Sequence, residues 1–296
     1  GGDYITTEAV ADMNEAVANF VPSLSALQSI KMGGPFEEHT LEAMLDQCGH
    51  RLRRLLLSTY DTQLLQIALG GLNLVQGIQR TCPNLEELAL NIVRSKGDAT
   101  EVAIYRTLGT LASIRKIHLN ICYPRSFLQD RISIEDLSSM CANGRTLNEQ
   151  EQETELDDAL INMAIDQTLA KSIFHTISTS KSAYSPPLER VSLGLGALNY
   201  THSIYRPSNA YLDSVLKYIG RSRTCIRNPR DDRPHDCFVT EYNPANKLER
   251  EQEVQIETPS DMFDSVVAEA ICRVWPAART RDWKQVWHSF ELDTSE

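Results

Sequence analysis

One spacing of apolar residues recurs along this chain and restricts its possible folds more than any other feature. In "CPNLEELALNIV", residues 82–93, Leu85, Leu88 and Leu90 stand three and then two positions apart. A helix repeats near 3.6 residues and a plain strand near 2.0, so neither alone produces this pattern. The mixture belongs to a chain that turns a corner and then enters a short strand. With Ile, Val or Met allowed for Leu, the spacing returns at Leu27, Ile30 and Met32, and at Leu52, Leu55 and Leu57. It returns again at Ile114, Ile117 and Leu119, and at Leu188, Val191 and Leu193. The first four copies start 25, 33 and 29 residues apart, and the fifth follows after 74.

The segments between the copies have helical spacing. Phe36, Leu41, Met44 and Leu45 share one face. Leu64, Ile67, Leu74 and Ile78 share another behind Asp61 as an N-cap, weakened midway by Gly70 and Gly71. Ile104, Leu108 and Leu111 make a third. Each unit is therefore strand, turn, helix, turn, and one unit cannot bury its apolar side alone. Stacking the units gives an α/β chain, an irregular leucine-rich-repeat solenoid with parallel strands on the concave face and helices on the convex face. The expected organisation is a single domain over residues 1–296.

The long gap before the fifth copy predicts an insertion. Residues 145–157 are expected to be an acidic, flexible insertion, solvated and mobile. A helix then follows with Ile161, Ile165, Leu169, Ile173 and Ile177 four apart, and with Asp157 and Asp158 at its start. Beyond residue 200 the repeat fades. Tyr211, Leu212, Val215, Leu216 and Ile219 suggest a helix, "CFVTEY" (237–242) a strand, and Ser260 caps a last helix through Phe263, Val267, Ile271 and Val274. Residues 260–296, with Trp283, Trp287 and Phe290, are expected to close the end of the repeat stack as a C-terminal cap.

Composition narrows the function. Lys plus Arg total 29 and Asp plus Glu 40, a formal charge of −11, which disfavours nucleic-acid binding through phosphate neutralisation. No apolar run is long enough to span a membrane, and no signal peptide is evident. Seven cysteines without C-x-x-C spacing are expected to be reduced thiols, which favours the cytoplasm or nucleus. The start at Gly1-Gly2 without Met suggests a fragment or processed product of a longer chain.

The repeats of the "CPNLEELAL" type resemble the leucine-rich regions of fungal F-box proteins. The block "DDALINMAIDQTLAKSIFHTI" followed by "PLERVSLGLG" resembles large families of filamentous ascomycetes, as does the tail "ICRVWPAARTRDWKQVWHSFEL". The resemblance runs from about residue 20 to the end. It implies the substrate-recognition part of a ubiquitin ligase subunit. Members carry an F-box that docks a Skp-type adaptor, but residues 1–26 show no Leu-Pro start and no matching helix set. Adaptor binding is therefore expected only through a missing upstream F-box. The alternative is a stand-alone repeat scaffold with no ligase link.

Catalytic signatures are weak. Ser178 to Lys181 match S-x-x-K without a companion motif. "SLGLGAL" lacks the third glycine of a dinucleotide loop and the lysine of a P-loop. Cys225, His235 and Cys237 are loosely spaced for zinc and lack a fourth ligand. No enzyme activity, cofactor or metal is expected. What remains is a surface: alternation sends the neighbours of the strand leucines to the concave face. Those residues are Lys31, Arg54, Ser58, Glu87, Asn91, Lys116, His118, Asn120, Arg190 and Ser192. Four cations among them, in an acidic chain, suit an acidic or phosphorylated protein partner.

Overall fold

The computed structural model describes residues 12, 15–17, 20–21, 23–33, 38–58, 71–122, 147–195, 210–228, 236–241 and 262–294. Each described L-x-x-L-x-L copy delivers a strand: β1 (Ser29–Gly33), β2 (Arg54–Ser58), β3 (Glu87–Val93), β4 (Lys116–Cys122) and β5 (Arg190–Leu195). All neighbours in this set pair parallel, and the second apolar position of every copy lies in one row, Ile30, Leu55, Leu88, Ile117 and Val191. These five side chains are buried. The first position, Leu52, Leu85, Ile114 and Leu188, is buried just before the strand, where the chain turns in.

The register is fixed where the strands begin. The carbonyl of Gln28 accepts from the N–H groups of Arg53 and Arg54, that of Arg53 from Glu86 and Glu87, and that of Glu86 from Arg115 and Lys116. The carbonyl of Arg115 continues the series with Glu189 and Arg190. A slip by one residue would turn every inward leucine to water, so the apolar row and the corner bonds specify the same alignment.

Between the strands run α1 (Glu38–Cys48), α2 (Leu72–Thr81) and α3 (Ala99–Gly109). Leu41, Met44 and Leu45, then Leu74 and Ile78, then Ile104 and Leu108 are buried, as their spacing predicts. Phe36, Asp61, Leu64 and Ile67 lie outside the described residues. Asp98 caps α3 by accepting the Glu101 N–H at 2.8 Å. Gly109 ends α3 against the next helix layer, where a Cβ would stand 2.3 Å from the carbonyl oxygen of Ile177.

The segment before β5 differs from expectation. Residues 147–158 are helical: they belong to α4 (Leu147–Met163). Asp157 and Asp158 sit inside that helix rather than at its start, and each has a cation, Arg273 at 2.9 Å and Lys96 at 2.6 Å. The charges that argued for a solvated insertion are thus partly matched by residues distant in sequence. The single stripe of Ile161 to Ile177 is split, because Asp166 starts a new helix, α5 (Gln167–Thr179), by capping Leu169 N–H at 2.8 Å. β5 pairs directly with β4 despite the intervening helices.

After α6 (Ala210–Ile219) the sheet gains β6 (Arg223–Arg227) and β7 (Cys237–Glu241), both antiparallel to their neighbours. The whole is a seven-stranded, mostly parallel α/β sheet in the order β1 to β7. α7 (Met262–Val274) and a four-residue helix, α8 (Trp283–Val286), complete the chain. Ser260 lies outside the described residues. Trp275 is the fully buried aromatic of this end, its Nε1 donating to the His288 carbonyl at 3.0 Å, while Trp283, Trp287 and Phe290 are half-buried against the core.

A buried polar junction ties the C-terminal segments to the repeated part. Arg94 and Glu101 are both fully buried, 2.8 Å apart. Arg94 Nη1 donates to the carbonyls of Ile161, Asn162 and Ala164. Glu101 accepts from the N–H groups of Ser95 and Gly97 and from the Tyr105 hydroxyl. Lys96 and Gly97 both take positive φ, 62° and 78°, a turn that glycine accommodates without a Cβ penalty. The tail then closes over it: Asp293 N–H donates to the Gly97 carbonyl at 2.6 Å, and Asp166 accepts from both the backbone N–H and the hydroxyl of Ser289.

Candidate functional site

The residues that alternate with the core row share the opposite face of the sheet. Register places Ser29, Arg54, Glu87, Lys116, Arg190, Ile226 and Phe238 in one line crossing all seven strands. A second line holds Lys31, Leu56, Ala89, His118, Ser192, Thr224 and Thr240. Lys31, Arg54, Lys116 and Arg190 are exposed; Glu87, His118, Asn120 and Ser192 are partly so. Asn91 is not a surface group: it is 3% exposed, and its Oδ1 accepts the Asn120 amide at 2.9 Å. That bond commits both amides to the junction of β3 and β4. The Ser58 side chain lies outside the described residues.

Charge along the first line is uneven. Arg54 and Glu87 are opposite each other and bonded at 3.1 Å. Just outside the strands, Arg53 pairs with Glu86 and Arg115 with Glu189, both at 2.6 Å. At the antiparallel end Arg223 pairs with Glu241 on the other face of the sheet, in the row of Leu193. Lys116 and Arg190 are the exception. They are directly opposite each other, both exposed, and carry no ion pair among the described residues. Like charges opposite one another cost stability in a sheet, and an anion bound across them would offset that cost.

His118 sits in the second line beside this pair. Burial lowers its pKa and Arg190 and Lys116 lower it further, opposed by Glu87 at 3.5 Å. The ring is thus predominantly neutral near pH 7, an adaptable hydrogen-bonding group rather than a further cation.

The remaining motifs of chemical interest resolve into structure. Lys181 Nζ donates to the carbonyls of Leu111 and Ile114 at 3.3 and 3.0 Å, so it joins the α3–β4 turn to α5 rather than activating Ser178. Its pKa falls to about 8 through burial. The Cys225 and Cys237 thiols hydrogen-bond to each other on β6 and β7, which raises the first and lowers the second. His235 and Gly196 lie outside the described residues. Among the described residues no group of three or more His, Cys, Asp and Glu is arranged to hold a metal, and no helix is long and apolar enough to cross a membrane.

Reading the sequence alone misses Ile226 and Phe238, which extend the first line beyond Arg190. β6 contains no leucine. The usable signal was the alternation in "RTCIR" and "CFVTE", which places Cys225 and Cys237 inward and leaves Ile226 and Phe238 outward. It also misses the Arg94–Glu101 junction. The D-x-x-E of Asp98 and Glu101 has capping-box form, but Glu101 bonds Ser95 and Gly97 instead of only closing a cap.

No protein-family model, curated protein or solved structure matches the chain.

Proposed function

We propose that this chain is a protein-binding domain whose exposed sheet face receives an acidic segment of a partner. The carrying observation is that Lys116 and Arg190 stand directly opposite each other, both exposed and without an ion pair among the described residues, while Arg54 on the same line is matched by Glu87. In this reading the five parallel strands are the concave side of an irregular leucine-rich-repeat arc, supported by the single register of the repeated apolar residues. The partner is a protein substrate, and the likeness of the repeats to the leucine-rich regions of fungal F-box proteins supports a role as the substrate-recognition part of a ubiquitin ligase subunit. The adaptor would be held by an F-box outside this chain. An intracellular setting, cytoplasmic or nuclear, is consistent with five buried free thiols among the described cysteines.

The test is titration of a fluorescent glutamate-rich peptide against the wild-type chain and charge reversals at Arg54, Lys116 and Arg190. Each reversal at Lys116 or Arg190 is expected to weaken binding by about 1–3 kcal/mol, with a smaller effect at Arg54, whose charge Glu87 already matches. Glu86→Lys is the control, since Glu86 precedes Glu87 in the alternation and belongs to the other side of the strand. Equal affinity for all variants would remove the face from consideration. Co-purification of this chain with a Skp-type adaptor would overturn the assignment of adaptor binding to an F-box outside it.

A further inference from the structure

The two exposed apolar side chains at the antiparallel end continue the line that holds the unpaired cations. Ile226 is 37% and Phe238 60% exposed. Ile226 lies directly opposite Arg190, and Phe238 directly opposite Ile226. Isolated surface apolar groups need no explanation. Here the two adjoin each other and a cation pair, and the next line over is made of small hydroxyl residues: Ser192 bonds Thr224 at 3.2 Å, and Thr240 bonds the Thr224 carbonyl. Those short side chains leave the larger ones standing above the sheet.

We propose that Ile226 and Phe238 are the apolar anchor site for the partner's acidic segment, which lies across the strands with its carboxylates on Lys116 and Arg190. This rests on the reading of the cationic face given above and specifies the segment that it takes. Strands are about 4.8 Å apart, so Phe238 is roughly 10 Å from Arg190 and roughly 14 Å from Lys116 along the line. An extended peptide advances about 3.4 Å per residue. The segment therefore carries a bulky apolar residue about three or four positions from an acidic one. The cations stand singly, one per strand, rather than converging on a point, which suits spaced carboxylates better than one phosphate dianion.

The experiment is fluorescence anisotropy with labelled synthetic peptides. Each holds a glutamate pair and one phenylalanine in a glycine–serine background, with the spacing increased one residue at a time. Affinity is expected to peak at a separation of about three or four residues and to fall roughly ten-fold without the phenylalanine. Phe238→Ser should flatten the dependence on spacing, and Phe238→Leu should restore it. Because Phe238 is mostly exposed, thermal melting should be unchanged in both. Arg190→Glu should weaken every peptide that contains glutamate. If Arg190→Glu weakens binding while Phe238→Ser leaves the spacing profile intact, the anchor is overturned and the cationic face stands. If neither variant changes binding, or no peptide binds, both fall. Self-association in sedimentation that Phe238→Ser abolishes would overturn the proposal by assigning the patch to a second copy. Tight binding of a phosphoserine peptide without phenylalanine would overturn it likewise.

Discussion

The parallel part of the sheet and the C-terminal segments solve the same packing problem in different ways. From β1 to β5, each strand presents the same two or three apolar positions to its neighbour, and Ile30, Leu55, Leu88, Ile117 and Val191 form one buried row. Cohesion there is spread over many similar contacts. The C-terminal part also buries apolar side chains in the same core, among them Leu216, Val267, Ile271 and Trp275, but without a repeat, and a few polar clasps add to its attachment. Arg94 reaches three carbonyls at the end of α4, Arg273 grips Asp157 with two bonds, and Asp166 holds Ser289 with two more. Truncating one residue of the apolar row opens a cavity, at about 2–5 kcal/mol for Leu or Ile to Ala. Breaking a buried polar clasp costs by another route, since removing one side strands the other in a low-dielectric site.

The largest expected effect follows at Arg94. Replacement by Met leaves the Glu101 carboxylate buried without its cation and should cost about 3–5 kcal/mol, read as a shift in the urea unfolding midpoint. Changing both residues to apolar ones should not restore stability here, because Glu101 also accepts from Ser95 N–H, Gly97 N–H and the Tyr105 hydroxyl. A double variant as stable as wild type would show that the ion pair, rather than the network, is the unit that matters.

Asp166 comes next. Asp166→Ala removes the cap of α5 and both bonds to Ser289, for a loss of about 2–3 kcal/mol in the same unfolding assay. Burial tends to raise the Asp166 pKa, but the bonds from Ser289, Leu169 and Thr168 outweigh it and the net shift is downward. The sign follows: a carboxyl that is more acidic in the folded chain stabilises it above the unfolded-state value, near pH 4, and loses that contribution as pH falls through the lower folded value. Asp166→Asn should therefore flatten the acid limb of the stability curve below about pH 4 relative to wild type. An unchanged acid limb would mean that the clasp does not hold in solution.

These two parts were unequally legible in the sequence. Five strands, three helices and their inward faces follow from leucine spacing, because a repeated unit announces its register each time it recurs. Among the proposed partner-binding residues, Lys31, Arg54, Glu87, Lys116, His118, Arg190 and Ser192 do fall in two adjacent lines, while Asn91 turned out buried with Asn120 bonded to it. Alternation specifies which side a residue faces, not whether that side is open at that depth. The acidic stretch before α5 misled for a related reason. Asp157 and Asp158 look solvated locally, and their partners Arg273 and Lys96 lie far away along the chain. Long-range polar pairs leave no periodic trace, so the clasps that fix the C-terminal part were invisible until the fold brought them together.

Two glycines within the helices of the repeated part give the smallest effects and the sharpest test of how its packing is distributed. Both are buried, and in a helix alanine is intrinsically preferred to glycine by about 1 kcal/mol. At Gly109 the gain is overridden: a Cβ would stand 2.3 Å from the Ile177 carbonyl oxygen and 2.6 Å from the Ser180 Cβ, so α3 and α5 must separate. Gly109→Ala should cost about 1–2 kcal/mol net. At Gly77 a Cβ would meet nothing within 4 Å, so α2 can take the methyl without moving. Gly77→Ala should stabilise the chain by about 0.5–1 kcal/mol, visible as a small upward shift of the thermal midpoint. The opposite signs follow from spacing alone, since the two residues share helix type and burial. Destabilisation by Gly77→Ala would show that α2 packs against something tighter than its described neighbours, and that the repeated part is less uniform than its row of leucines implies.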